Sequence, residues 1–317
     1  MNNGQWWAVG LSDAIEPGHT LAVVCEGKPI VLFRDEAGQA FALEDRCSHR
    51  RVPLSPGPVK PGGLQCPYHG WTFDGNSGRC TDIPNLGREE RVPSSYGVTP
   101  YPVAEANGFI HVWLGDWAPG EYLPAASYRK TGIEYTGSAV VSLARDHYLD
   151  VMLDGPECLL AFTGVQITDF FLGDPRQDGD HLVLDRGAIW KGKGVGPAFV
   201  RDYPLVVRTS VPLVGGVITV ELLSVDEEPL ITICIAATEN RRGTTSLCWR
   251  GGLHGSTISD STMRWRFSRV IGRKPFEVFS EIDGNAIAAL QIAPSLERIW
   301  PSSTASGSYS SFSPEVC

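Results

Sequence analysis

Hydrophobic and polar residues alternate in short runs along the first 117 residues. "TLAVVCEG", "PIVLFRD" and "NGFIHVWLG" each read as a strand and are separated by Gly, Pro, Asn and Asp turns. This predicts an all-β domain over 1–117. The turn-rich stretch "GDWAPGEYLPAAS" predicts a boundary, with a second domain over 118–317. There "IEYTGSAVVSLA", "PLVVRTSVPLVGGVITVELLSV" and "ITICIAATEN" read as strands. "PFEVFSEIDGNAIAALQ" reads as a helix, with Phe276, Phe279, Ile282, Ile287 and Leu290 near helical spacing. "DHYLDVMLDGPECLLAF", 146–162, also reads as helical, although Gly155-Pro156 should break a helix before Glu157. The Ser-rich end from about 301 reads as a loose tail. The fold class expected is α+β.

Composition narrows the class. With 42% hydrophobic and 20% charged residues, the 317-residue chain can bury a substantial core without staples. A net charge of -9 argues against nucleic acid as a main partner, although Arg50, Arg51 and Lys60 could form a local basic patch. The start "MNNGQWWAVG" lacks the pattern of a secretory signal. No window reaches about 18 uninterrupted apolar residues, so no membrane span and a cytoplasmic location are expected. Of eight cysteines, Cys25, Cys234 and Cys248 are expected to be small buried hydrophobes. His111 is expected to alternate outward on its strand, and Trp6 and Trp7 to pack the first domain.

Candidate chemistry concentrates in "CSHRRVPLSPG" and "LQCPYHGWTF": Cys47-x-His49, sixteen residues, then Cys66-x-x-His69. Such a set suits structural zinc or a [2Fe-2S] centre with two Cys on one iron and two His on the other. Each pair lies in a loop between strands, and Pro53, Pro56, Pro58 and Gly70 suit rigid loops. No helix pattern follows either pair, as zinc fingers usually require. These surroundings favour iron–sulfur.

Those loops, with "RRVPLS", "CPYHGW" and "YPVAEANGFIHVWLG", resemble the Rieske domain, and specifically that of Rieske-type non-haem iron oxygenases and their ferredoxins. Val52 and Tyr68 stand where cytochrome-complex Rieske proteins carry additional cysteines. The resemblance implies that Cys47 and Cys66 bind the inner iron and His49 and His69 the outer one. The further 200 residues imply an oxygenase α-type subunit whose second domain is helix-grip, a curved antiparallel sheet with helices around it. Partners implied are a reductase or ferredoxin carrying flavin and linked to NAD(P)H, and a trimer or a hexamer with head-to-tail contacts.

The resemblance also implies a helix opening the second domain with Asp, His and His, completed by a later carboxylate. Here Asp150 matches the Asp that bridges electrons from a neighbouring subunit. Leu153 and Cys158 stand at the two His positions, and Asp283 matches the carboxylate ligand. Three readings follow. The chain has lost its mononuclear iron and serves as electron-transfer or structural partner of an active α-type subunit. Or it holds an atypical metal among His147, Asp150, Asp154, Glu157 and Cys158, the first four on one helical face. Or it is a non-catalytic binding or redox-sensing protein.

Overall fold

The computed structural model describes residues 4–87, 90–116, 118–119, 133–190, 204–213, 215–241, 243–254, 265 and 274–290. Most of the expected boundary segment and the Ser-rich tail lie outside these residues.

Three antiparallel sheets build the N-terminal part. One orders Gln5–Leu11, Phe109–Leu114 and Val103–Ala106; a second orders Thr20–Cys25, Lys28–Arg34, Ala40–Glu44 and Pro100–Tyr101. The third, from Val59–Lys60, Gly63–Gln65, Thr72–Phe73 and Cys80–Asp82, carries the Cys-His loops at its end. Trp6 and Trp7 are buried, Trp6 edge-on to Trp113. His111 corrects the alternation reading, because it is buried at 1% exposure. Its strand Phe109–Leu114 is the middle one of three and is covered on both faces, so strict alternation no longer sends one face to water.

The second part is built on an eight-stranded antiparallel sheet. Its main path runs Ile133–Val141, Thr244–Leu253, Pro229–Arg241, Val217–Leu223, Pro204–Pro212, His181–Trp190 and Val165–Leu172, with Arg176–Asp178 also paired to His181–Trp190. Ile231, Ile233 and Ile235 face a core shared with Tyr148, Leu149, Met152 and Leu153 of helix α1, Arg145–Asp154. The alternate residues Cys234 and Ala236 turn to the opposite face and join Cys248, Ala8, Leu11 and Phe109 in a second cluster. The sheet is therefore buried on both faces, and the N-terminal part covers one of them. Cys25, Cys234 and Cys248 are buried, as expected.

Gly155-Pro156 breaks the first expected helix as the sequence predicts, and the second helix expectation needs correction. The 146–162 segment is helical only to Asp154. Gly155 closes α1 by donating to Val151 O at 2.7 Å, Pro156–Cys158 is a 3-10 turn, and Leu160–Phe162 is a strand. The 276–290 segment begins as strand Phe276–Val278, paired with Leu160–Phe162, and only Gly284–Ala289 forms a helix, α2. Asp283 caps α2 by accepting from Asn285 N at 2.9 Å.

Candidate metal centre

The two Cys-His loops share one backbone form. Cys47 N donates to Val52 O and Arg51 N to Cys47 O, both at 2.8 Å. In the second loop Cys66 N donates to Trp71 O at 2.7 Å and Gly70 N to Cys66 O at 3.1 Å. The fourth residue after each Cys is left-handed: Arg51 at φ 58° and Gly70 at φ 76°. Glycine takes that conformation freely, whereas Arg51 holds it at a cost, beside an ion pair to Glu44 at 2.9 Å. A buried carboxylate braces the first loop. Asp45 accepts from Leu54 N at 2.6 Å, Ser55 N at 2.7 Å and Ser55 Oγ at 2.7 Å.

These loops sort the four candidate ligands by depth. Cys47 and Cys66 are 1% and 3% exposed, while His49 and His69 are exposed. The imidazole Nδ1 atoms stand 3.1 Å apart. Two nitrogens bound to one tetrahedral ion at about 2.0–2.1 Å would lie about 3.3 Å apart, so this pair fits one metal. The sulfurs form their own pair. Burial raises the Cys47 thiol, neighbouring Cys66 adds to the rise, and main-chain N–H groups of His49 and Arg50 oppose it. Among the described residues, no group of three or more His, Cys, Asp or Glu is arranged to hold a single ion. Separate thiol and imidazole pairs fit two irons better than one zinc.

The rim is aromatic and basic. His49 stacks on Trp71 at 4.7 Å and 3°, and Tyr68 lies 3.9 Å from the His69 ring. Arg46, Arg50, Arg51 and Lys60 are exposed on the N-terminal part. Partial desolvation, with His69 and Arg50 nearby, keeps His49 below its ordinary pKa.

Among the described residues, the second candidate set forms no group of three or more side chains placed to hold a metal ion. Leu153 is buried in the apolar core at 2% exposure. Asp154 is tied to Arg186 at 2.8 Å, both buried. Asp283 is committed to the α2 cap. Cys158 is part-buried, and burial, then the charges of Glu157 and Asp283, raise its thiol. Cys158 and Asp283 are thus within electrostatic reach of one another. Asp150 is pushed up to about 6 by burial, with His147 pulling it down and Asp146 pushing it up. Asp45, Trp71 and Arg186 escaped the sequence reading. The Asp two residues before Cys47 with Ser eight residues after it was a usable signal for the first; the other two depend on tertiary contact.

Residues 5–102 match the Rieske [2Fe-2S] domain. Over 123 residues the chain is 42% identical to chlorophyllide a oxygenase, chloroplastic, of Chlamydomonas reinhardtii, covering 39% of this chain and 18% of that one. It is 41% identical over 125 residues to 4beta-methylsterol monooxygenase of Methylococcus capsulatus, covering 39% and 34%. The chain thus spans about a third or less of the length of these curated relatives. Dicamba monooxygenase superposes with a TM-score of 0.60 at 21% identity, covering 82% of this chain and 79% of that one. The oxygenase–ferredoxin complex of carbazole 1,9a-dioxygenase gives 0.54 at 17%, covering 85% and 75%. The resemblance read from the sequence therefore holds: a Rieske domain is present, and the fold is that of Rieske oxygenase α subunits.

Proposed function

We propose, with the Rieske [2Fe-2S] domain of residues 5–102 as premise, that the chain is an electron-carrying subunit of an oxygenase system and holds no mononuclear iron of its own. Cys47 and Cys66 take the inner iron and His49 and His69 the outer one. When bound, the cluster supplies a one-electron couple, at a potential raised by imidazole ligation to within roughly -150 to +300 mV. The protein's own groups then set direction. The thiol end is sealed in apolar core, while the imidazole end meets solvent, stacked on Trp71. The Nε2–H groups of His49 and His69 can donate to a redox partner or release a proton there. Electrons arrive from a flavin-carrying reductase or ferredoxin linked to NAD(P)H; the carbazole dioxygenase complex supports such a partner. They leave to an active α-type subunit in a trimer or hexamer packed head-to-tail, with Asp150 at the contact. A cytoplasmic location fits this role. Among the described residues no helix is long and apolar enough to cross a membrane.

The observation that carries the loss of the second iron is Leu153. A buried hydrocarbon stands where the resemblance calls for a neutral nitrogen ligand, and Asp154 beside it is spent on Arg186. Cys158 and Asp283 alone would give two ligands where a facial triad needs three. Their proximity is the one feature favouring the atypical-metal reading. Iron and acid-labile sulfide analysis, with oxygen uptake on the isolated chain, separates the two. The expected result is two irons, two sulfides and no hydroxylation. A third iron per chain, lost in Cys158→Ala or Asp283→Asn, overturns the proposal.

A further inference from the structure

The hairpin turn Glu26–Gly27 of the Rieske domain reaches the far end of strand Pro229–Arg241. Both turn residues are left-handed, φ 51° and 69°, the backbone of a tight two-residue hairpin turn. Three hydrogen bonds tie the turn to the second part: Glu239 N to Glu26 Oε1 at 3.4 Å, Gly27 N to Glu239 O at 3.5 Å, and Thr238 Oγ1 to Val24 O at 3.5 Å. All three are at the long limit and individually weak. What sits among them is Arg145, the first residue of α1. Its Nε donates to Ala237 O at 3.1 Å, and its guanidinium lies 4.8 Å over the Trp7 ring of the Rieske domain. It also pairs with Asp146 at 3.4 Å. One side chain therefore touches the Rieske domain, the sheet and the helix that bears Asp150.

We propose that Arg145 is a positioning residue for assembly: it locks α1 to the Rieske domain of its own chain, so that the cluster face and the Asp150 face keep one fixed angle. A head-to-tail contact closes into a ring only when that angle is right; otherwise it leaves open chains or monomers. This rests on the head-to-tail reading given above. The charges at the junction agree with it. Burial raises the Glu26 carboxyl and Arg145 opposes the rise, so the cation helps keep the turn's carboxylate charged. Arg145 is itself part-buried, so its contacts are screened less than those of an exposed side chain.

The test uses the full chain with its cluster, in wild type, Glu26→Ala, Glu26→Gln and Arg145→Lys. These are mild changes that leave the Rieske loops untouched. Cluster absorbance and midpoint potential should match wild type in all of them. In Arg145→Lys and Glu26→Ala, amide exchange at Gly27 and Glu239 should rise at least tenfold, and the ratio of closed ring to smaller species by analytical ultracentrifugation should fall at least tenfold. Glu26→Gln keeps an acceptor for Glu239 N and should behave as wild type. Unchanged exchange in both altered variants overturns the lock. Faster exchange with an undiminished ring overturns its role in assembly. A wild-type chain that is monomeric at every concentration, alone and with its partner, sinks the head-to-tail reading instead, while exchange still decides the lock.

Discussion

Arg51 and Gly70 hold the same place in the two cluster loops, four residues after their cysteines, and both are left-handed. The loops have different sequences and different Cys-to-His spacing, yet one backbone solution serves both. Replacing Gly70 by Ala would strain that φ and bring a Cβ to 2.9 Å from Pro84 Cγ. Gly70→Ala should destabilise by about 1–3 kcal/mol and lower cluster occupancy. Arg51→Gly relieves strain at the expense of a largely exposed ion pair worth about 0–1 kcal/mol, so it should be near neutral. Thermal melts and visible absorbance per chain measure both.

Asp45 makes a sharper case. Asp45→Ala leaves Leu54 N, which is buried, and Ser55 N without their acceptor, at about 1–3 kcal/mol for each donor left unsatisfied. Asp45→Asn keeps one acceptor oxygen and should lose less. Denaturant titration and sulfide content of the two variants should rank them in that order.

Arg186→Leu should destabilise the second part strongly. It removes the guanidinium that Asp154 meets at 2.8 Å in the core, and breaking a buried pair from one side costs about 3–5 kcal/mol. The double change Arg186→Leu with Asp154→Leu should recover a large part of the loss. Chemical denaturation of the four members of the cycle measures the coupling.

Asp150 has a pKa raised to about 6 in the fold, against an ordinary aspartate near 3.9 when unfolded. The folded state therefore binds the proton more tightly. Stability should fall as pH rises from about 4 to about 6 and stay level above. Because solvent screens this part-exposed group, about 1 kcal/mol is expected. Asp150→Asn should flatten that slope and be neutral or slightly stabilising at pH 7. Stability curves across pH 4–8 for both proteins test this.

The Rieske domain and its loops were legible because ligand identity, spacing and turn residues are local. Of the long sheet, Ile133–Val141, Pro204–Pro212, Val217–Leu223 and Pro229–Arg241 were legible as β-rich runs, whereas His181–Trp190 and Thr244–Leu253, broken by Asp, Arg and Gly, were not. The misreadings have a common cause. Phe276 and Val278 also fit period two, and only their partners Leu160 and Phe162, more than a hundred residues away, decide for a strand. His111 was sent outward by alternation, although Phe109, Ile110 and Val112 around it left no polar side to the strand. The Asp154–Arg186 pair joins positions 32 residues apart, beyond what spacing can reveal.

The depth ordering of the cluster loops bears on how the cofactor is gained and lost. Cys47 and Cys66 are closed off once Val52 O and Trp71 O are engaged, so if they hold the inner iron as proposed, iron and sulfide would have to enter while those loops are still open. Loading is then a step of folding, and a folded empty chain should fill only as fast as its loops breathe. On the proposed ligand assignment, loss would run the other way: His49 and His69, being exposed, would be the end a chelator reaches first.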